Sequence, residues 1–176
     1  VSTRGYNGVI FVANGATGAS ISGGTGAITI SGTPISGNTL SNSGVRFDNK
    51  TTLTTSGNLT ITGQSNASSG TYPAVSIGGW DIADYVTYAG SQLTVGGDLV
   101  INATGGTRGF ALVGDNTTIT VTGNINITAS TSSAAAGIRL WGTPTLKSTS
   151  GNITLSGTTT GASYGIYLGN NSIIET

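Results

Sequence analysis

The sequence predicts an all-β fold, a parallel β-helix of about six coils with roughly 28 residues and three short strands in each coil. Three observations lead to this prediction. Similar segments recur along the chain, and the most regular of them open at Gly109, Gly137 and Gly165, which are 28 residues apart. Each segment holds three short apolar runs that alternate with polar residues, as half-buried strands do. Gly, Pro, Asn and Ser separate the runs and indicate tight turns.

The segment GIRLWGTPTLKSTSGNITLSG at 137–157 shows the pattern of one coil. Its three predicted strands carry the apolar residues Ile138 and Leu140, then Leu146, then Ile153 and Leu155. The preceding copy supplies the same strands at nearly the same offsets, with Phe110/Leu112, Ile119/Val121 and Ile125/Ile127. We therefore expect equivalent strands of successive coils to stack about 4.8 Å apart and to share their backbone hydrogen bonds.

Two other repeating or all-β folds fit less well. A propeller blade needs four strands and usually about 40 residues or more. A β-sandwich has varied strands and a core built from two sheets, whereas here the same positions repeat. One coil alone buries too little apolar surface to fold, so stability has to come from neighbouring coils.

The units differ in regularity along the chain. Residues 1–43 form the most irregular unit, with a Gly/Ser-rich middle and the extra segment TPISGNTLSNS, whereas residues 44–73 form a regular one. The next unit carries the insertion GGWDIADYVTYAGSQ at 78–92, and the last copy stops at Thr176 before its third strand. We expect residues 1–176 to be a single β-helix segment of a longer repeat array, with open ends that favour end-to-end association.

A glycine followed by Asn or Asp precedes the third strand of most coils. The pairs are Gly57-Asn58, Gly97-Asp98, Gly123-Asn124 and Gly151-Asn152. We expect these pairs to form turns that need positive φ, which glycine adopts readily. Stacked Asn side chains are also expected to form hydrogen bonds along the rod.

The insertion at 78–92 is the candidate binding site. It holds a cluster of aromatic and acidic residues, namely Trp80, Asp81, Asp84, Tyr85 and Tyr88. Loops on a rigid scaffold often carry binding sites, and clustered Trp and Tyr suit interfaces. These five residues are therefore candidates for ligand contact. The alternative is a loop that folds back on the coil, with Trp80 and Ile82 covering apolar surface.

The middle residue of the first strand in each coil is expected to face solvent. These residues are Ile10, Arg46, Ser76, Ala111, Arg139 and Tyr167. Because the column mixes apolar, small and charged side chains, it is more typical of a solvated face than of a repeated ligand-reading surface. Trp141, just after one of these strands, is expected to be partly exposed at a turn.

The composition argues against catalysis. The chain has no His and no Cys, which excludes a Ser-His-Asp triad, a Cys-His pair and a conventional zinc site. The string GASYG at 161–165 matches the nucleophile elbow, but it leads into a predicted strand and has no His partner. The acids lie in separate units except Asp81 and Asp84, and the calcium-binding nonapeptide does not recur. We predict no catalytic residue, no metal and no cofactor.

Charge and hydropathy exclude two kinds of partner. Six basic and six acidic residues give a formal net charge of +0, too little basic charge for a nucleic-acid binder. The apolar run VIFVA at 9–13 is far too short to be a signal peptide or to span a membrane. We therefore expect neither nucleic-acid binding nor membrane insertion.

The units GNLTITG, GDLVINA, GNINITA and GNITLSG, each of which follows a Gly-apolar-x-apolar strand, resemble the repeats of filamentous-haemagglutinin-like exoproteins of bacterial two-partner secretion. The resemblance covers nearly the whole chain. It implies a right-handed β-helix, export through the outer membrane, and a secreted or cell-surface location. The lack of Cys agrees with passage in an unfolded state.

Three functions are consistent with these features. The first is a rod segment of a bacterial surface adhesin, which projects distal binding sites and contacts a host-cell glycan or protein receptor through the 78–92 loop. The second is a purely structural stalk or filament unit, whose partners are the adjacent repeats of the same polypeptide. The third is a fragment of a polysaccharide-active enzyme.

Overall fold

The computed structural model describes residues 8–12, 18–34, 43–48, 50–67, 72–79, 90–169 and 171–176. Within these ranges the chain forms short β-strands and no helix. The strands are β1 Val9–Phe11, β2 Ser20–Ser22, β3 Ile28–Gly32, β4 Val45–Phe47, β5 Thr52–Thr55, β6 Leu59–Ser65, β7 Pro73–Ile77, β8 Gln92–Val95, β9 Leu99–Gly105, β10 Arg108–Val113, β11 Thr118–Val121, β12 Ile125–Thr131, β13 Ile138–Trp141, β14 Thr145–Ser148, β15 Ile153–Thr159, β16 Ile166–Leu168 and β17 Ile173–Glu175.

Every third strand belongs to the same sheet. The first sheet has the order β1-β4-β7-β10-β13-β16, the second β2-β5-β8-β11-β14-β17 and the third β3-β6-β9-β12-β15. Neighbouring strands are parallel in all three sheets. Coil 1 therefore comprises β1–β3, and the following strands give coils 2 to 5 in threes, with β16 and β17 in coil 6. The predicted parallel β-helix is confirmed.

The register pairs the residues that the repeat predicts. Phe110 pairs with Ile138, and Ile138 pairs with Ile166. Leu112 lies beside Leu140 in the same ladder. Like residues therefore meet along the axis, because the strand spacing repeats at 27 or 28 residues from coil 4 onwards.

One apolar core fills the inside of the coils. Its large, fully buried members come from all three sheets: Phe47, Leu53, Leu59, Ile61, Ile77, Leu93, Leu99, Ile101, Phe110, Leu112, Ile119 and Ile125. Ile153 and Leu155 in β15 pack against this core but are only partly buried. The reason is that, among the described residues, β15 is the last strand of the third sheet, so its outer side is uncovered.

A ladder of Asn and Asp side chains runs along the corner before the third sheet. Asn58 Oδ1 accepts a hydrogen bond from the backbone N–H of Asp98 at 2.8 Å. Asp98 Oδ1 accepts from the N–H of Asn124 at 2.7 Å, and Asn124 Oδ1 accepts from the N–H of Asn152 at 3.0 Å. The expected hydrogen bonds along the rod are present. In most of them a backbone N–H of one coil donates to a side-chain oxygen of the neighbouring coil.

The expectation of positive φ at Gly57, Gly97, Gly123 and Gly151 is wrong, because positive φ occurs at other glycines. These four glycines are needed for close approach between coils. A Cβ atom on Gly97 would overlap the side-chain oxygen of Asn58, and one on Gly123 would overlap that of Asp98. The ladder therefore depends on the missing side chain of each glycine.

Hydroxyl groups join successive coils at the corners after the second and third sheets. Ser148 Oγ donates to the carbonyl oxygen of Gly123 at 2.8 Å and accepts from the N–H of Gly151 at 2.9 Å. Thr131 Oγ1 donates to the carbonyl of Gly106 at 2.7 Å in the same manner. These two hydroxyls are buried, and the hydrogen bonds offset the cost of removing them from water.

Candidate functional site

Both ends of the 78–92 insertion are described, and they lie at one corner of coil 3. Gly78 follows β7 and donates its N–H to the carbonyl oxygen of Phe47 at 3.0 Å. Ser91 precedes β8, and its Oγ donates to the carbonyl oxygen of Asp48 at 2.5 Å. The insertion thus leaves and re-enters the coil between the first and second sheets. The candidate contact residues Trp80, Asp81, Asp84, Tyr85 and Tyr88 lie outside the described residues, so this site stays a prediction.

The corner from which the insertion leaves is defined by glycines with positive φ. Gly78, Gly114 and Gly142 follow the first-sheet strands of coils 3, 4 and 5, with φ values of 93°, 98° and 91°. Residues with a side chain rarely adopt this backbone conformation, whereas glycine does so at little cost. The insertion therefore begins with the same backbone geometry that the neighbouring coils use for a short turn.

The outward-facing residues of the first sheet form one continuous ladder. Ile10, Arg46, Ser76, Ala111, Arg139 and Tyr167 pair with one another in this order. The expectation that all of them face solvent is wrong for two, since Ser76 is 0% and Ala111 2% exposed. Ser76 Oγ donates a hydrogen bond to the carbonyl of Gly79, so the chain after β7 turns back over the small side chain. This face is therefore covered in its middle and open towards coils 5 and 6.

An aromatic cluster with an arginine lies on the open part of this face. The Arg139 guanidinium carbon lies 4.4 Å from the centroid of the Trp141 ring and 5.2 Å from that of Tyr167. The rings of Trp141 and Tyr167 stack with centroids 5.6 Å apart, and the ring of Tyr164 lies 5.8 Å from that of Tyr167. Cation–π attraction and ring stacking hold these groups together. We call Arg139, Trp141, Tyr164 and Tyr167 the aromatic platform.

A groove of about 360 Å³ runs beside the aromatic platform. Its remaining lining comes from Arg108, Ser163 and the three alanines at 134–136. Arg108, Ala136 and Tyr164 precede equivalent glycines in coils 4, 5 and 6, so Ala136 stands between two larger residues. Because the side chain of Ala136 is small, a depression remains between Arg108 and Tyr164, and this depression is the groove. The groove thus offers aromatic ring faces beside hydroxyl and guanidinium donors, a mixture suited to binding an amphipathic ligand.

Sequence reasoning found part of this groove and missed the rest. Arg139 and Tyr167 were expected on the outer face, and Trp141 was expected to be partly exposed; the structure confirms all three. Tyr164, Arg108 and Ala136 were not singled out. The 28-residue offset between these three residues could have indicated the groove, because it aligns side chains of very different size at one position of successive coils.

The described residues hold no group of three or more His, Cys, Asp or Glu side chains placed to bind a metal. Asp115 acts in a turn, where its Oδ1 accepts hydrogen bonds from the N–H and Oγ1 of Thr143 at 3.2 and 3.0 Å. Ser163, the serine of the GASYG string, lies in a bend that leads into β16, as expected. Its N–H donates to the carbonyl of Gly161 at 2.9 Å. The string therefore serves as a connection between strands.

The fold defines the chain as a parallel β-solenoid. Comparison with protein-family models, with curated proteins and with solved structures finds no match. In the described part of the chain, no helix has the length and apolar character needed to cross a membrane.

Proposed function

We propose that the chain is a rod segment of a bacterial surface adhesin of the filamentous-haemagglutinin-like class, located outside the cell. The observation that carries the proposal is the unbroken parallel pairing from coil 1 to coil 6 in the first and second sheets. Each coil adds about 4.8 Å to the axis. Such a stack extends by repetition without changing its cross-section, which is what a spacer needs in order to hold a binding site away from a surface.

The polar outer surface of the coils is suited to contact with water. Many outward positions of the second and third sheets carry uncharged polar side chains that are exposed: Thr52, Thr54, Gln64, Gln92, Thr94, Asn102, Asn126, Thr128, Thr154 and Ser156. Thr is among the residues that favour strands, and its hydroxyl keeps the face hydrated. These two faces are therefore suited to solvent exposure along the length of a rod.

Adjacent repeats of the same polypeptide are the partners that the proposal requires at the ends. In coil 6, Ile166 and Leu168 align with the buried Ile138 and Leu140 but are 38% and 53% exposed. A further coil of the same type would cover them as coil 5 is covered by coil 6. The apolar surface of coil 6 is therefore suited to packing against a further coil of the same type.

The location is tested by labelling cells of the source organism with an antiserum raised against the 176-residue chain. We expect gold label on intact cells, at a density that permeabilisation does not increase. An antibody against a ribosomal protein serves as the control and should label permeabilised cells alone. Label that requires permeabilisation would contradict a surface location.

The contribution of the insertion is tested separately. The chain coated on beads is compared with Trp80→Ala and Tyr85→Ala for binding to cultured epithelial cells. Loss of adhesion in both variants would support ligand contact through the 78–92 loop. Equal adhesion of all three proteins would exclude the loop as the contact, and absence of adhesion in all three would support the purely structural stalk.

A further inference from the structure

The residues that line the groove beside the aromatic platform come from coils 4 to 6, whereas the insertion leaves the chain in coil 3. We propose that the groove binds a glycan. One pyranose ring of the glycan stacks on Tyr164, and the hydroxyl groups of this ring form hydrogen bonds with Ser163, Tyr167 and Arg139. The proposal rests on the adhesin function only for the origin of the glycan, because the binding itself follows from the groove.

Tyr164 is the accessible part of the platform. It is 65% exposed, whereas Arg139, Trp141 and Tyr167 are each partly buried. Tyr167 and Trp141 stack on each other, and the Arg139 guanidinium lies against both rings. These contacts fix the inner part of the platform before any ligand arrives, which lowers the ordering cost of binding.

The groove has the chemistry of a sugar site. A pyranose ring presents C–H groups on its faces and hydroxyl groups around its edge. Aromatic rings pack against the former, and Tyr, Ser and Arg side chains supply donors and acceptors for the latter. The volume of about 360 Å³ falls within the range of small-molecule sites, near its lower end. This size suits a short oligosaccharide segment.

Single-stranded nucleic acid also stacks on aromatic rings beside arginine. That ligand is disfavoured here because its affinity depends on neutralising many phosphates, and the chain has a formal net charge of +0. A glycan needs no such excess of basic charge. Neutral and acidic sugars share the stacking chemistry, and the experiment separates them.

The test uses the whole chain titrated with lactose, cellotetraose and sialyllactose, followed by calorimetry and Trp fluorescence. Tyr164→Ala removes the stacking face, and Tyr164→Phe keeps the ring while removing the hydroxyl. We expect at least one sugar to bind, Tyr164→Ala to weaken it about tenfold or more, and Tyr164→Phe to bind within about threefold of the original chain. Tyr164 is exposed, so both variants should melt at the temperature of the original chain.

Three results would overturn the proposal. The first is no heat and no fluorescence change with any of the three sugars at concentrations of about 1 mM and above. The second is equal affinity of the original chain and Tyr164→Ala. The third is binding of an oligothymidylate control in place of the sugars. None of these would alter the surface labelling expected of the rod, so failure of the groove and failure of the proposed function are distinguishable.

Discussion

Asn124 joins the coil below it to the coil above it. Its backbone N–H and its side-chain amide both donate to Asp98 Oδ1, at 2.7 and 3.3 Å, while its own Oδ1 accepts from the N–H of Asn152 at 3.0 Å. One residue therefore serves as donor and acceptor across two coil interfaces. From β6 to β15, the ladder links each third-sheet strand to the next at the point where the chain enters the sheet.

Removing an acceptor from this ladder should weaken the fold. Asp98→Ala deletes the oxygen that accepts two hydrogen bonds from Asn124 and should lower the free energy of unfolding by about 1 kcal/mol. Urea unfolding followed by circular dichroism measures the loss. Asp98→Asn is the matched control, because it keeps an oxygen at the same place and matches Asn58 and Asn124 in neighbouring coils. A loss in Asp98→Asn as large as in Asp98→Ala would show that the charge, and not the acceptor, matters.

Position in the stack should decide the cost of a core cavity. Ile125 and Ile153 pair in the third sheet, yet Ile125 is fully buried and Ile153 only partly. Ile125→Ala should therefore cost about 2–5 kcal/mol, within the range for buried Ile. Ile153→Ala should cost clearly less, since β15 is the last third-sheet strand that the structure describes. Equal losses in denaturant titrations of the two variants would contradict the assigned end of the third sheet.

The corner glycines allow strain and collision to be separated. Gly114 has φ 98°, and a Cβ atom there would meet its nearest neighbours at an ordinary 3.4 Å. Gly114→Ala should thus cost about 1–2 kcal/mol from backbone strain alone. At Gly78 a Cβ atom would also overlap the carbonyl oxygen of Val113 and the Thr117 side chain. We expect Gly78→Ala to lower the melting temperature more than Gly114→Ala, and the reverse order would refute the collision.

The exposed apolar end should make the 176-residue chain associate. Ile166 and Leu168 occupy core positions at the end of the first sheet, and an open sheet edge offers unpaired backbone groups. Sedimentation velocity should show larger species as the concentration rises. Leu168→Lys should reduce this association, because it places a charge on the end surface. Thr154→Lys, on the exposed outer face of the third sheet, is the control and should associate like the original chain.

The periodic part of the structure was predictable because inward positions repeat in kind. Phe110, Ile138 and Ile166 are all large and apolar, so strand identity, pairing and core membership could be inferred from spacing. The turn role of Asp115 could be inferred as well, since Asp favours turns. Period and chemistry agreed at these positions, and the predicted strands and core positions are confirmed.

The remaining features depend on contacts between unlike residues of different coils. The reason for Gly97 could not be inferred, because it is the Asn58 side chain of the coil below that leaves no room for a Cβ atom. The burial of Ser76 follows from the path of the chain at Gly79. The groove arises where Ala136 separates Arg108 from Tyr164. To predict each of these features, one must first know the register of the strands, because it determines which side chains of different coils meet.

The parallel ladders also determine how the rod responds to tension. The hydrogen bonds between coils point along the axis, so a force that separates the ends is concentrated on the outermost coil, whose backbone bonds break one after another. Each coil of roughly 28 residues that detaches releases about 95 Å of extended chain. A stack of coils pulled at its two ends would therefore lengthen stepwise, one coil at a time.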